Sequence, residues 1–269
     1  MANTELITDA LVLRVLPSGD NDKLLTLLCP HEGRINVIAH GARSLHSKLM
    51  GVARPFVWGN FELRSKGGGF WVRDASVLKN FEKLSKDIEL MYLSQYISDV
   101  ACELSGAAEE PGELLPLVLN TFYALSNGYD KTSIKAAFEL RAASISGYLP
   151  ELHTCTRCEC ESAEAWYLDI MSGGIVCNKC VASSPPVQPE AENNVDIYGK
   201  RTILLPLGRG VLEAMRYVTE CEPKRVFSFK LKTDDDRGAF ANACEMFLLN
   251  HLERGFSSLK VYHELSSMK

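Results

Sequence analysis

The densest group of metal-binding side chains lies between residues 155 and 180, which hold five of the nine cysteines. Cys155 and Cys158 form one Cys-x-x-Cys pair. Cys177 and Cys180 form a second pair, and eighteen residues separate the two pairs. Two thiolates at this spacing can bind one ion from a single tight turn, and a hairpin between the pairs lets the turns face each other. The spacing therefore predicts one tetrahedral Zn²⁺ site.

Such a site would be structural, because four thiolates leave no open coordination position for catalysis. An iron–sulfur cluster uses the same ligands and stays an alternative. Disulfides are a further alternative, but residues 1–10 have neither the basic start nor the apolar core of a signal peptide, so we expect a cytoplasmic protein with reduced thiols. Cys160 could also chelate together with Cys158. Pairing with Cys155 repeats the geometry of the second turn and favours Cys158.

Composition and charge limit the classes of protein. The 269 residues are 46% hydrophobic and 23% charged, as in ordinary globular proteins. No run approaches the ~18 apolar residues of a membrane-spanning helix, so no membrane partner is expected. The net charge of −5 argues against an indiscriminate nucleic-acid binder. However, residues 1–80 carry ten Lys or Arg against seven Asp or Glu, which suggests a different partner for this segment.

Within that segment, residues 33–60 contain no Asp or Glu. Polar and basic residues at 41–48 suit phosphate contacts from side chains and backbone amides. From composition alone, a phosphate-binding surface and an ordinary solvated surface are equally expected for residues 33–60. The stretch contains four basic residues, about the number that chance would give: Arg34, Arg43, Lys48 and Arg54.

Residues 1–80 alternate in the pattern of β-strands separated by Gly- and Pro-containing turns. Five strands at this spacing predict an N-terminal oligonucleotide-binding (OB) type β-barrel. The predicted strands are Leu6–Leu16, Lys23–Cys29, Arg34–His40, Phe56–Arg64 and Phe70–Leu78. Four aromatic residues could offer stacking faces to bases, although a place in the barrel core is favoured for each of them. These are Phe56, Trp58, Phe70 and Trp71.

The pattern of residues 81–269 predicts an α-helical domain, with the cysteine hairpin inserted at 151–184. Together with the N-terminal barrel, this predicts a multidomain α+β fold. Helical periodicity covers residues 83–104, 114–125, 132–148 and 212–218, and Pro116 is tolerated only in a first helical turn. A further helix begins after Thr233, with acidic residues in its first turn. Residues 182–198 read as a linker. Four scattered thiols are expected to be buried: Cys29, Cys102, Cys221 and Cys244.

No motif in the chain predicts catalysis. There is no phosphate-binding Walker loop, no His-Glu-x-x-His and no Gly-x-Ser-x-Gly. The acidic run at 234–236 is explained by helix capping without a bound cation. His251 is expected to be a packed helix residue and not a ligand. A binding protein therefore fits better than an enzyme.

Three stretches resemble the bacterial recombination mediator family RecO. The first is ALVLRVLPSGDNDKLLTLLCPHEGRINVIAHGARS near the N-terminus. The second combines CTRC with GGIVCNKC, and the third is HLERGFSSLKVYHEL near the C-terminus. Their order and spacing extend the resemblance over nearly the whole chain. Family members differ in whether they keep the four cysteines, and this sequence keeps them.

The resemblance implies an N-terminal OB barrel, a helical domain and a zinc-binding insertion. It implies binding to single- and double-stranded DNA, annealing of complementary strands, and loading of RecA with the partner RecR onto strands coated by single-strand binding protein. The family's DNA-contacting basic residues lie on and beside the barrel, a role that falls here on the four residues named above. The acidic tail of single-strand binding protein would dock on the helical domain, for which Lys131, Lys135 and Arg141 are candidates.

Two rival classes remain at the level of sequence. In the first, the protein is a zinc-containing adaptor that binds other proteins and no nucleic acid, which the net charge of −5 favours. In the second, it is a nucleic-acid-processing enzyme whose site has no recognisable motif. DNA titration at two salt concentrations separates the mediator from the adaptor, and a nuclease assay with Mg²⁺ tests the enzyme.

Overall fold

The structure is a computed structural model that describes residues 4–66, 69–105, 112–183 and 203–268. Contacts within the chain divide it into two units. Met1–Tyr129 and Phe256–Lys269 form the first unit, and Asp130–Gly255 forms the second. The linker was predicted at residues 182–198, and its part from residue 184 onward lies outside the described residues. None of the helices in the described ranges is long and apolar enough to cross a membrane.

The first unit begins with five strands, as predicted, each within two residues of its expected bounds. Their order is β1-β2-β3-β5-β4, and β1 also pairs with β4, so every strand has two neighbours. The junction of β3 and β5 is the shortest, with two parallel residue pairs. The arrangement confirms the five-stranded barrel. The strands are β1 (Thr4–Ser18), β2 (Asp22–Cys29), β3 (Gly33–Ala39), β4 (Val57–Lys66) and β5 (Gly69–Asn80).

The barrel forms because alternate residues of its strands are apolar and point to one interior. Val12, Leu25, Val37 and Phe61 are fully buried in that core. The connection between β3 and β4, residues 40–56, contributes further buried side chains to the same core: Ala42, Leu49, Val52 and Ala53. The long connection is therefore packed onto the barrel.

The part of the first unit that the structure describes also contains four helices: α1 (Glu82–Lys86), α2 (Ile88–Leu104), α3 (Leu114–Ser126) and α8 (Ser257–Ser267). Pro116 lies in the first turn of α3, where its missing N–H leaves no hydrogen bond unmade, as expected. Asp99 on α2 joins three elements. It accepts hydrogen bonds from Arg14 of β1 at 2.6 Å and from Ser258 of α8 at 2.8 Å. The ring of Phe256, which precedes α8, packs edge-on against Tyr96 at 5.5 Å.

In its described residues, 130–183 and 203–255, the second unit contains three longer helices, two short helical segments and a small sheet. The helices and the 3₁₀ turn are α4 (Lys131–Ile145), α5 (Asn178–Ala182), α6 (Arg209–Glu220), Pro223–Arg225 and α7 (Asp234–Leu252). The strands are β6 (Trp166–Asp169), β7 (Gly174–Cys177) and β8 (Leu204–Leu207), in the order β7-β6-β8. Thr233 caps α7 by accepting a hydrogen bond from the Asp236 N–H at 3.0 Å, which confirms the predicted start. The helix predicted over residues 132–148 ends at Ile145, and Tyr148 beyond it is 38% exposed.

An ion triad crosses the interior of this unit between α4 and α7. Lys135 is 3% exposed, and its ammonium lies 2.8 Å from Glu139 and 2.5 Å from Glu245. Burial alone would lower the pKa of Lys135, but the two carboxylates raise it. Arg141, 8% exposed, donates to the Thr219 carbonyl oxygen at 2.7 Å. Since both cations are buried and bonded internally, their prediction as docking residues for an acidic tail is wrong.

Candidate metal centre and nucleic-acid-binding surface

The first cysteine turn spans Cys155 to Cys160 and is closed by backbone hydrogen bonds. The Cys155 N–H donates to the Cys160 carbonyl at 2.9 Å, and the Glu159 N–H donates to the Cys155 carbonyl at 2.8 Å. Glu159 adopts a left-handed conformation with φ of 59°. This conformation costs a non-glycine residue on the order of 1 kcal/mol, and it turns the chain sharply after Cys158.

The second cysteine turn begins where β7 ends. Cys177 is the last residue of β7 and caps α5, and its sulfur accepts the Cys180 N–H at 3.4 Å. The Cys177 N–H in turn donates to the sulfur of Cys155 at 3.4 Å. The second turn therefore offers two backbone N–H groups to cysteine sulfurs, one in each turn, an arrangement that favours the thiolate form.

Gly174 brings the two turns together. A Cβ atom at Gly174 would lie 2.4 Å from Cγ2 of Thr156, so only glycine leaves room for the first turn against β7. The Thr156 N–H then donates to the Ile175 carbonyl at 2.9 Å. Both glycines of the hairpin are needed, since Gly173 has a φ of 71° and reverses the chain between β6 and β7.

The four predicted ligands meet at one centre. The sulfurs of Cys155, Cys158, Cys177 and Cys180 all lie within 4.8 Å of one another. Cys158 and Cys177 are 3.7 Å apart, close to the ~3.8 Å edge of a tetrahedron with Zn–S bonds of about 2.3 Å. Cys155 and Cys177 are buried, Cys180 is half-buried and Cys158 is exposed. The chain therefore provides a donor set of four soft ligands that could hold one metal ion.

The electrostatics of the centre fit a bound cation. Burial would raise the pKa of Cys155, but backbone N–H groups, led by that of Cys177, lower it to about 6. Burial would also raise the pKa of Cys177, but hydrogen bonds to its sulfur, led by that from the Cys180 N–H, lower it. The pKa of Cys180 is instead raised by burial and by the neighbouring sulfurs. The neighbouring sulfurs oppose the ionisation of Cys180, and a divalent cation would remove that opposition.

Cys160 lies at the margin of this centre. Its side chain packs, partly buried, against the apolar cluster around Cys155 and Cys177, and burial together with the neighbouring sulfurs raises its pKa to about 12. Of the scattered cysteines, Cys29, Cys102 and Cys244 are buried as expected, whereas Cys221 is half-buried. The prediction for His251 is confirmed, since Nδ1 contacts the Phe247 carbonyl at 2.8 Å and the ring packs on Phe247.

The basic connection between β3 and β4 is held against the turn between β1 and β2. Asp22 accepts the Gly41 N–H at 2.8 Å and contacts Nδ1 of His40 at 2.7 Å, and these hydrogen bonds lower the pKa of Asp22. Arg43 donates through its backbone N–H to Asn21 at 3.0 Å and through Nη1 to Gly19 at 3.1 Å. The residues predicted to contact phosphate therefore stand on an anchored backbone.

Three cations lie close together at this connection: Lys23 of β2, and Arg43 and Arg54 of the connection itself. We call these three residues the basic cluster. Lys23 donates to the Ala53 carbonyl at 2.9 Å. Burial lowers the pKa of Lys23, and the charges of Arg54 and Arg43 lower it further. Sequence analysis missed Lys23. The available signal was the β2–β3 hairpin, in which Lys23 pairs with Ala39 and so lies beside the start of the connection.

The basic cluster differs from the other arginines of the barrel. Arg14 pairs with Asp99, Arg64 contacts Glu5 at 2.8 Å, and Arg73 lies between two carboxylates at 3.6 and 3.7 Å. In the described parts of the chain, no carboxylate lies within 4.0 Å of a cationic nitrogen of the basic cluster. Its positive charge is therefore available to an external anion.

The remaining two candidates are placed differently. Arg34 lies near the start of β3, about 17 Å along the strand from its end, and its guanidinium donates to the Cys102 carbonyl near the C-terminus of α2. Lys48 is exposed on the connection, with no contact that joins it to the basic cluster within the described residues. The structure thus brings together Arg43 and Arg54 of the four predicted residues and leaves Arg34 and Lys48 apart from them.

The aromatic residues divide between core and surface. Phe56 is 2% exposed and packs edge-on against Phe122 of α3 at 5.3 Å, so its burial is as expected, although the contact is with a helix. Phe70 is half-buried and packs against the barrel core. Trp58 and Trp71 are half-buried, so part of each ring faces solvent.

Comparisons with known proteins assign the chain to a family. A family model described as "Recombination protein O N terminal" matches residues 1–81, and one described as "Recombination protein O C terminal" matches residues 85–199. Among curated relatives, a protein named DNA repair protein RecO from Acetivibrio thermocellus is 23% identical over 98% of both chains. Proteins of the same name from Pelotomaculum thermopropionicum and Desulforudis audaxviator are 32% and 30% identical, over 67% and 72% of this chain and 70% and 77% of their own length. The chain belongs to the RecO family of DNA repair proteins.

Proposed function

We propose that this protein is a non-enzymatic recombination mediator that binds single- and double-stranded DNA and anneals complementary strands. With RecR it would help to load RecA onto strands coated by single-strand binding protein, whose C-terminal tail it would contact, in the cytoplasm at the nucleoid. Membership of a DNA repair family supports this proposal. The observation that carries it is the basic cluster, whose charge no carboxylate of the described chain neutralises.

The physical mechanism requires no covalent chemistry. Lys and Arg contacts to phosphates release condensed counterions and so provide affinity that does not depend on sequence. Two strands repel each other through their phosphates, and a cationic surface that binds both lowers this repulsion. The anchored connection keeps the cations in place, so little side-chain or loop ordering opposes binding.

We assign phosphate contacts to Arg43 and Arg54, together with Lys23, and keep Lys48 and Arg34 as outer contacts. Arg34 can offer only part of its guanidinium, because one N–H group already serves the Cys102 carbonyl. Trp58 and Trp71, each half-buried, could stack on bases.

The test is a titration of single-stranded DNA with Arg43→Ala/Arg54→Ala at two salt concentrations. Loss of two phosphate contacts should make the slope of log K against log salt less steep by about 1.4. Arg64→Ala/Arg73→Ala is the matched control, since it removes the same charge from arginines of the same barrel that are already ion-paired. Equal effects of the two double variants would show that net charge, and not the basic cluster, governs binding.

The rival classes are separated by further outcomes. A wild-type protein that binds no DNA at low salt would favour the adaptor, and cleavage of DNA with Mg²⁺ would favour an enzyme. Binding of a labelled C-terminal tail peptide of single-strand binding protein, and co-elution with RecR, test the proposed partners. Absence of both interactions would contradict the mediator even if DNA bound.

For the metal centre we propose one structural Zn²⁺. Support comes from the four sulfurs within 4.8 Å and from the backbone N–H groups aimed at Cys155 and Cys177. Zinc would cross-link the two turns, and the thiolates would leave no position for substrate. Measurement of zinc and iron per purified chain decides between zinc and an iron–sulfur cluster.

We also propose that the chain is organised as an OB domain at residues 1–80 and a helical domain at 81–269, with the metal hairpin inserted at 151–184. The change from one family model to the other between residues 81 and 85 supports the first boundary. Limited proteolysis followed by mass spectrometry would test it.

A further inference from the structure

His40 and Asp22 form a polar contact beside the basic cluster. Nδ1 of His40 lies 2.7 Å from Oδ2 of Asp22, and Oδ1 of Asp22 accepts the Gly41 N–H at 2.8 Å. In the β2–β3 hairpin Lys23 pairs with Ala39, and the contact lies one residue beyond this pair, about 3.4 Å along the strands. The imidazole of His40 is therefore a neighbour of the cations that we expect to bind phosphate.

The contact determines which ring nitrogen of His40 carries a proton. An ionised carboxylate only accepts hydrogen bonds, so Nδ1 must be the donor to Asp22. The hydrogen bonds from Gly41 and His40 lower the pKa of Asp22, which keeps this carboxylate ionised. A neutral His40 can then take up a proton only at Nε2. The side chain of His40 is 62% exposed, and among the described residues Nε2 has no hydrogen-bond partner.

Protonation would change both the charge and the hydrogen-bonding capacity of this surface. With a neutral ring the pair carries the negative charge of Asp22, which repels a phosphate. With a protonated ring the pair is neutral, and Nε2–H becomes a donor on an exposed side chain. The other charged residues around the pair are Asp20 in the preceding turn, Lys23 of β2 and Arg43, which is bonded to that turn. The proton would therefore strengthen an anion site that two cations already form.

We propose that His40 is a further phosphate contact beside the basic cluster, and that its Nε2 donates to a phosphate oxygen only when the ring is protonated. Binding of DNA then takes up a proton from solvent, and affinity rises as the pH falls through the range in which histidines titrate. Asp22 is the positioning residue that holds the ring. The inference rests on the proposed DNA binding at the basic cluster and makes that binding dependent on pH.

The first experiment measures affinity for oligothymidylate, whose bases do not titrate in this range, between about pH 6 and about pH 8 at constant salt. Wild-type binding should weaken by about three- to tenfold over this range, since a change of one pKa unit on binding corresponds to a tenfold change in affinity. His40→Asn keeps an N–H for Asp22 but cannot titrate, so its affinity should stay at the wild-type value of the highest pH. His31→Asn, in the exposed turn between β2 and β3, is the matched control and should keep the wild-type pH dependence.

The outcomes separate this inference from the proposed function. If the wild-type protein binds no oligothymidylate at any pH, the proposed DNA binding fails and this inference fails with it. If the wild-type affinity is independent of pH, or if His40→Asn keeps the pH dependence, DNA binding stands and the assignment of His40 is overturned.

A second experiment uses only the wild-type protein, so failure of a variant to fold cannot affect it. Calorimetric titration with oligothymidylate in two buffers of different ionisation enthalpy measures the protons taken up per bound strand. The uptake should be a fraction of one proton at neutral pH and should decrease as the pH is raised. Zero uptake at neutral pH would contradict the proposal.

Discussion

The metal centre and the basic cluster are assembled over different distances along the sequence. Each half of the metal centre comes from two cysteines three positions apart, and one short hairpin brings the halves together. The basic cluster takes Lys23 from the start of β2 and Arg43 and Arg54 from a connection that follows β3. Local spacing determines the first site, whereas the register of the barrel determines the second.

The two sites also affect stability in opposite directions. Metal binding at a structural site contributes directly to folding, because the unfolded chain has no preformed site. The basic cluster instead places three like charges together, at a cost in repulsion, and burial, followed by the charges of Arg54 and Arg43, lowers the pKa of Lys23. Barrel packing and the hydrogen bonds of Asp22 must offset that cost, until a bound polyanion relieves the repulsion.

Metal removal should give the largest effect. Chelation, or Cys177→Ser, should lower the melting temperature by about 10 °C or more, because binding free energy at such a site is folding free energy. Cys221→Ser is the control for loss of a thiol outside the centre. DNA affinity should persist, since the described hydrogen bonds that hold the basic cluster lie within residues 19–54. An unchanged melting temperature after confirmed metal loss would contradict the structural role.

An intermediate effect is expected at the close contact of the hairpin. Gly174→Ala should destabilise the protein by about 1–3 kcal/mol, because the new methyl group overlaps Cγ2 of Thr156. Thr156→Ser removes Cγ2 and should recover part of the loss in the double variant. Gly238→Ala on α7, where nothing lies within 4 Å, should instead stabilise by about 0.5–1 kcal/mol. Urea unfolding of the wild-type protein, Gly174→Ala, Gly174→Ala/Thr156→Ser and Gly238→Ala measures these changes in stability.

The smallest effect sharpens the description of the basic cluster. Lys23→Met should weaken binding of single-stranded DNA several-fold and make the salt slope less steep by about 0.7, the value of one phosphate contact. Arg73→Met is the comparison, because Arg73 lies between Glu5 and Glu62. An unchanged slope for Lys23→Met would limit the role of Lys23 to its hydrogen bond with Ala53 and leave the contacts to the arginines.

Features that depend on neighbouring residues were predictable from the sequence. Strand alternation located five strands to within two residues, and Thr233 with its acidic first turn located the start of α7. The Cys-x-x-Cys spacing located all four thiols of the metal centre. In each case the determining interaction spans a few residues or one hairpin, so local periodicity and spacing carry the information.

Features that depend on distant partners were not predictable. Lys135 is polar in the sequence, yet it is buried because Glu245, 110 residues later, lies against it in the folded unit. Arg34 belongs to an acid-free stretch, but its guanidinium serves a carbonyl on α2. Lys23 joins the basic cluster only through pairing of β2 with β3. No composition or spacing rule within a short window contains these contacts.

The position of α8 has a consequence for how the protein is made in the cell. Residues 256–269 belong to the same unit as residues 1–129, with Phe256 on Tyr96 and Ser258 on Asp99. The ribosome synthesises the N-terminal part first, so α2 lacks its partner helix until residues 257–267 have been made. A message truncated between residues 130 and 255 would release a chain with an incomplete first unit, which cellular proteases would remove.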